Sequence, residues 1–175
     1  GFSLEISKNY KLKKPLIIYN NFSNSLKETI VNYKNLIILN ENSELNLINY
    51  INNSSRENFM VNTVENIKMK KDSSLNNILI NNSKCNGYFY KYIKCDLEKN
   101  SSLENYLISS GLKFNKLDIQ IDLNEEYSKS SVFSALNLMN NEHQEIKTRI
   151  NHNAPHCHSY QKVKNVLNKE SKGIY

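Results

Sequence analysis

The chain has 175 residues, of which 39% are hydrophobic and 23% charged, and a formal net charge of +6. This length suffices to bury one hydrophobic core, so we expect a single domain. The basic excess lies at the two ends, in residues 1–14 and 160–175, and all basic residues except Arg56 and Arg149 are Lys. Because Lys lacks the planar fork that reads phosphates and bases, this composition disfavours nucleic-acid binding.

Three cysteines with no C-x-x-C pair do not form a disulfide framework, and they indicate a reducing compartment. We therefore expect a cytoplasmic protein. No apolar run has the length of a membrane span, and the start of the chain does not resemble a signal peptide, so no membrane association is expected. The chain begins at Gly1 and stops at Tyr175 directly after a strand-like run. We expect residues 1–175 to be one core domain, cut from a longer chain.

Short runs of apolar, aromatic and β-branched residues recur along the whole chain. The clearest is 117–123 (LDIQIDL), in which four apolar residues alternate with three polar ones. This period of two predicts a half-buried strand. Similar runs, bounded by Asn, Ser or Asp, predict strands at 36–39, 45–51, 59–69, 75–80, 88–97, 103–108, 132–139 and 146–152.

The strands follow a repeat. The pattern [N/D]-S-x-L begins at Asn42, Asp72 and Asn100, and a second predicted strand lies between successive copies. A repeat of about 30 residues is typical of solenoids, and the strand periodicity excludes helical hairpins. A coiled parallel β-sheet would place Ser with Asn or Asp at its corners. A β-sandwich or a barrel remains an alternative on the pattern alone.

Potentially reactive side chains are densest in residues 150–159 (INHNAPHCHS). His152, His156, His158 and Cys157 are of types that bind zinc. However, neighbouring residues of an extended chain point to opposite sides, and Pro155 prevents a helix that would align the histidines. A cysteine nucleophile would need an orienting acid or an oxyanion element, and neither is identifiable. We therefore predict a corner of the fold here, with neither a metal site nor a catalytic residue.

Two weaker functional hypotheses rest on charge. Asp118 and Asp122 lie on one side of their strand with Gln120 between them, as paired carboxylates of a carbohydrate-active β-helix would. No acid from a neighbouring coil is expected to join them. The basic ends suggest a polyanion-binding module. No Gly-rich phosphate loop occurs, so any ATP chemistry belongs to a partner.

One segment carries a family resemblance. Residues 149–161 (RINHNAPHCHSYQ), followed by 164–167 (KNVL) and 171–175 (SKGIY), resemble the H-x-x-P-H-C-x-S block and the Y-K-x-V-L and K-G-V-F segments of the SufB and SufD family of iron-sulfur cluster assembly. The pair His156 and Cys157 makes the resemblance closer to the SufD branch. We refer to residues 149–161 as the family block.

The resemblance implies a right-handed parallel β-helix and strand structure in 159–175. It also implies a scaffold subunit without enzymatic activity, which pairs with a SufB-like subunit and a SufC-like ATPase and receives sulfur indirectly from a cysteine desulfurase. An iron-sulfur cluster is then expected at the level of the complex, and none is expected on this segment alone. The family-typical positions carry an expected structural or interaction role: His152, Pro155, His156, Cys157, Ser159 and Gln161.

Overall fold

A computed structural model describes residues 1–23, 25–53 and 55–175. Within these ranges the chain is all-β, and no helix that could cross a membrane is present there. The strands are β1 (Ser3–Ile6), β2 (Leu16–Phe22), β3 (Ile30–Leu39), β4 (Glu44–Asn53), β5 (Met60–Met69), β6 (Ser74–Leu97), β7 (Ser102–Leu123), β8 (Lys129–Leu138), β9 (His143–His152), β10 (His158–Leu167) and β11 (Lys172–Ile174).

The strands stack into two parallel sheets that face each other across a common interior. The front sheet contains β1, β3, β5, the second halves of β6 and β7, β9 and β11. The back sheet contains β2, β4, the first halves of β6 and β7, β8 and β10. Each coil contributes one strand to each sheet, which makes a β-solenoid of about six turns. The predicted solenoid is confirmed, and the sandwich and barrel alternatives are excluded because every strand pair is parallel.

The predicted strand runs lie in strands except for Phe59 and Met139, each one residue outside its strand, and the closing residues 159–175 contain most of β10 and all of β11, as the resemblance implied. β1, β2 and the first half of β3 were not predicted from the sequence. Two separate strands were predicted in each of β6 and β7, whereas each runs continuously around one corner.

Columns of apolar side chains fill the interior. In the front sheet Leu39, Met69, Leu97 and Leu123 occupy equivalent positions in successive coils, and all four are buried. Each such side chain stabilises the fold by about 1.5–3 kcal/mol through removal of apolar surface from water. Because the repeat places like residues above one another, a single sequence pattern builds the whole core.

The corners between front and back strands depend on left-handed backbone. Asn42, Asp72, Asn100, Tyr127 and His156 all have positive φ, between 55° and 62°, and are spaced by 27 to 30 residues. They occupy the same corner in successive coils. Asn and Asp tolerate this conformation better than most residues, which explains the [N/D]-S pattern at the first three corners.

The corner at Asn100 offers a test of this constraint. Asn100→Val should lower the free energy of unfolding by about 2 kcal/mol, because a β-branched residue is strained at positive φ. Asn100→Gly should change it by less than about 1 kcal/mol, since only the exposed hydrogen bond to Asp72 is lost. Urea titration of the purified protein measures both.

The matched control is Asn137→Val, at an exposed position within β8 where a β-branched residue fits the strand. If Asn100→Val and Asn137→Val destabilise the protein equally, the left-handed corner does not carry the expected constraint.

Candidate functional site at the corner of residues 152–161

The family block forms the corner that joins β9 to β10. Pro155 lies in the turn, where its fixed φ suits a change of chain direction. His156 follows with a φ of 60°. Its ring stacks on Tyr127 of the preceding coil, with ring centroids 5.0 Å apart and planes inclined by 9°. The side chains of the left-handed residues at two neighbouring corners thus stack on each other.

A column of small side chains runs behind these corners. The strand register places Ser43, Ser73, Ser101, Ser128 and Cys157 directly before equivalent strand positions, and we call these five residues the corner column. The four serines are at most 1% exposed. Each serine hydroxyl donates to the carbonyl oxygen three residues earlier, at 2.6–2.9 Å. The column therefore satisfies a turn carbonyl in each coil.

Cys157 continues the corner column in place of a serine. Its Sγ lies 3.2 Å from the Ser128 hydroxyl, and the thiol donates to the Glu125 carbonyl at 3.3 Å. The side chain also packs against the main apolar core. The acceptor is thus a turn carbonyl of the preceding coil, whereas each serine hydroxyl bonds a carbonyl of its own turn.

The histidines of the block do not converge. His152 Nε2 lies 3.0 Å from the Ser159 hydroxyl, whereas His156 packs on Tyr127. His158 is exposed at the start of β10, in register with Lys129. In the part of the chain that the structure describes, no group of three or more His, Cys, Asp or Glu residues is arranged to hold a metal ion. The arrangement supports a structural corner better than a zinc site.

Gln161 connects the last strands. Its Oε1 accepts hydrogen bonds from the hydroxyls of Thr148 and Tyr175, and those two hydroxyls lie 3.1 Å apart. Thr148 belongs to β9 and Gln161 to β10, so this cluster joins the two sheets at the final coil. The block residues thus hold together neighbouring segments of the backbone.

The cysteines occupy contrasting environments. Cys95 is fully buried in the main core, and burial raises the pKa of its thiol far above the ordinary value. It is in register with Ile67 and Ile121 and behaves as a small apolar side chain. Cys157 is partly exposed.

The candidate carboxylates lie on the outward face of the front sheet. The sequence analysis found no acid from a neighbouring coil beside them, and this was wrong: the strand register places Asp96 next to Asp122. Lys94 Nζ lies 3.7 Å from Asp96 and 3.9 Å from Asp122. Asp122 also accepts hydrogen bonds from the side chains of Gln120 and Asn151. Asp96 and Asp122 are held in this polar network, which does not include Asp118 Oδ1, a buried atom with no hydrogen-bond partner among the described residues. The arrangement gives the carbohydrate-active hypothesis no support.

Part of the basic excess at the start of the chain is neutralised locally. Lys8 pairs with Glu41 and Lys11 pairs with Glu44, and both acids belong to the next coil. These exposed ion pairs reduce the positive field that the polyanion hypothesis requires.

Comparison with known families agrees with this geometry. A family model described as "SUF system FeS cluster assembly, SufBD core domain" matches residues 21–175. The chain belongs to the SufBD core-domain family. A search of curated proteins found no matching sequence. The matched range contains the whole family block and all five residues of the corner column, so the SufBD match and the solenoid repeat cover the same coils.

Sequence reasoning missed that Cys157 belongs to the corner column. Tyr127-Ser128 and His156-Cys157 depart from the [N/D]-S pattern, so the repeat was recognised only three times. The regular spacing of these corners was the available signal, because it continues beyond Asn100 with little change.

Substitution of two cysteines by serine tests the corner column. Cys157→Ser should change the free energy of unfolding by less than about 1 kcal/mol, since a hydroxyl there can donate to the Glu125 carbonyl. Cys95→Ser should destabilise the protein by about 1–3 kcal/mol, because it puts a hydroxyl into the apolar core. Urea unfolding compares the two variants. A loss in Cys157→Ser as large as that in Cys95→Ser would contradict the assignment of Cys157 to the column.

Proposed function

We propose that the protein is a scaffold subunit of SufD type, without enzymatic activity of its own, in a SUF iron-sulfur cluster assembly complex. In this proposal it pairs with a SufB-like subunit and a SufC-like ATPase in the cytoplasm. Sulfur reaches the complex from a cysteine desulfurase, and the nascent cluster is cargo of the whole assembly.

The observation that carries the proposal is the use of the family block as a coil corner. Cys157 contacts Ser128 and the Glu125 carbonyl, and Gln161 contacts Thr148. Side chains that bond to the backbone and to neighbouring side chains of the same chain stabilise the shape of the coil corner. A SufBD core domain whose most distinctive segment maintains shape fits a scaffold better than a catalyst.

The choice of the SufD branch rests on His156 and Cys157. His156 covers the left-handed corner through its stack on Tyr127, and Cys157 completes the corner column. The resemblance of this pair to the SufD-type block supports the SufD assignment, and these contacts describe how the pair fits into the corner.

Coexpression tests the proposal. The full reading frame, tagged and produced anaerobically with its genomic SufB-like and SufC-like neighbours, should copurify with both in a fixed ratio. The purified assembly should contain iron and sulfide. A tagged protein that purifies alone and free of iron would contradict the scaffold role.

The Cys157→Ser variant separates a structural thiol from a reactive one within the same experiment. A structural thiol predicts unchanged subunit ratio and unchanged iron and sulfide per complex, because serine preserves the corner column. The Cys95→Ser variant is the control for a loss caused by lower stability, and its yield is normalised to assembled complex. A loss of cluster in intact Cys157→Ser complex would assign this thiol to the chemistry and overturn its purely structural role.

A further inference from the structure

The outward face of the back sheet is apolar across five successive strands. In β4, Ile48 and Tyr50 point outward on either side of the buried Asn49. The strand register extends these two positions into two columns, and we call their ten residues the apolar stripe. One column is Ile17, Ile48, Ile78, Tyr106 and Phe133, and the other is Tyr19, Tyr50, Ile80, Ile108 and Ala135.

The stripe is continuous and accessible. Ile17, Tyr19 and Ile108 are 45%, 61% and 48% exposed. Tyr106 stacks on Phe133 with ring centroids 5.0 Å apart, so the aromatic rings form one surface across neighbouring coils. Large contiguous apolar patches of this kind mark interaction sites on water-exposed proteins.

The outward-facing residues of the front sheet differ from those of the stripe. The apolar character of the stripe is therefore not a general result of the amino-acid composition of the chain. Across the five strands from β3 to β9, four of the five outward columns of the front sheet contain Lys, Arg, Asp or Glu, and the exception begins at Ile30 and ends at His143. Lys116 pairs with Glu145 at 3.2 Å, for example, and this contact lowers the pKa of Glu145. The same repeat therefore builds a front face with charges in most of its columns and a back face with two adjacent apolar columns.

The borders of the stripe are polar and uncharged along most of their length. On one side the Asn76 side chain donates to Asn46 at 2.7 Å, and on the other side lie Asn52 and Asn82. An apolar centre with a polar rim is the organisation of protein interfaces. Two adjacent outward columns are about 7 Å apart, a width that one helix can cover.

The chemistry of the face selects a helix as the occupant. It presents side chains and no free backbone groups, so an extended segment laid on it would leave its own N–H and C=O groups unpaired against apolar surface. A helix satisfies these groups internally. From β2 to β10 the stack measures about 24 Å at 4.8 Å per strand, which corresponds to about 16 helical residues.

Lysines lie at both ends of the stripe. Lys162 and Lys164 continue the two columns in β10, and the exposed Lys13 and Lys14 lie beside the other end of the stripe, in the segment between Lys11 and β2. A second copy packed on this face in either aligned two-fold arrangement would bring lysines against lysines. Acidic groups at the ends of the occupant would instead complement both pairs.

We propose that the apolar stripe binds an amphipathic helix of a partner protein, about 16 residues long, with acidic residues at both ends of its apolar face. This interaction goes beyond the proposed scaffold function and does not depend on it.

Two synthetic helical peptides of that length test the proposal on the purified full chain. Both carry the same Leu stripe at helical spacing, and they differ only in having Glu or Lys at both ends. Fluorescence anisotropy should show the Glu peptide binding more tightly than the Lys peptide by at least about tenfold, with the difference shrinking at high salt.

Ile108→Lys should weaken binding of the Glu peptide by at least about tenfold. Val64→Lys, at an exposed apolar position on the front sheet, is the matched control and should leave binding unchanged.

Circular dichroism verifies that both variants fold, and Tyr19→Ser provides a second stripe variant at the opposite end. Four results would overturn the proposal: no binding of either peptide, equal binding of both, equal losses in Ile108→Lys and Val64→Lys, or a self-association that Ile108→Lys abolishes. Binding to vesicles of phosphatidylcholine and phosphatidylserine that Ile108→Lys abolishes, without binding of the Glu peptide, would identify a membrane surface as the occupant and also overturn it.

Discussion

The chain must change direction at the end of each front strand. Each of these corners contains one residue with positive φ, followed by a small side chain that hydrogen-bonds a nearby carbonyl oxygen. At Asp72 and Ser73 the left-handed residue bends the backbone, and the serine hydroxyl closes on the Lys70 carbonyl. Because this corner recurs every 27 to 30 residues, it fixes the length of each coil. Coils of similar length then bring like side chains into register, and the parallel sheets and apolar columns follow.

The family block illustrates how the same corner can be built from different residues. His156 is a less common left-handed residue than Asn, and its ring stack on Tyr127 compensates by burying aromatic surface between coils. Cys157 takes the position of a serine, and its thiol contacts Ser128 and the Glu125 carbonyl of the preceding coil. Residue types that suggest metal binding or nucleophilic catalysis in the sequence therefore form a corner in the structure. In the proposed SUF complex, this corner is part of the backbone framework of the scaffold subunit.

Much of this architecture could be predicted from the sequence, because strand alternation and the [N/D]-S corners are local signals. The alternation at 117–123 located β7, and the three anchors predicted the solenoid. The interior polar residues could not be predicted in this way. Asn49, Asn77 and Asn105 form a buried hydrogen-bonded ladder inside the back sheet, although Asn in a sequence usually indicates a turn.

An inward-facing ion pair was missed for the same reason. Glu65 is fully buried and pairs with Lys91 at 3.0 Å, and Asn35 also bonds its carboxylate. The alternation of β6 places Lys91 on the same inward face as Phe89 and Ile93, opposite Thr63 of β5, although a charged residue type usually indicates an exposed position. Only the stacking of coils reveals such partners, because they are separated by nearly a full repeat. The neighbouring acid Asp96 beside Asp122 escaped sequence reasoning through the same long-range register.

The central claim is that Cys157 acts as a member of the corner column within a SUF scaffold. An experimental structure of the full-length protein in its anaerobically purified complex tests this claim most directly. The account predicts that Cys157 Sγ lies within hydrogen-bonding distance of the Ser128 hydroxyl and the Glu125 carbonyl, as at 3.2 and 3.3 Å here. A Cys157 sulfur bonded to iron or sulfide, or turned out of the column toward another subunit, would contradict it.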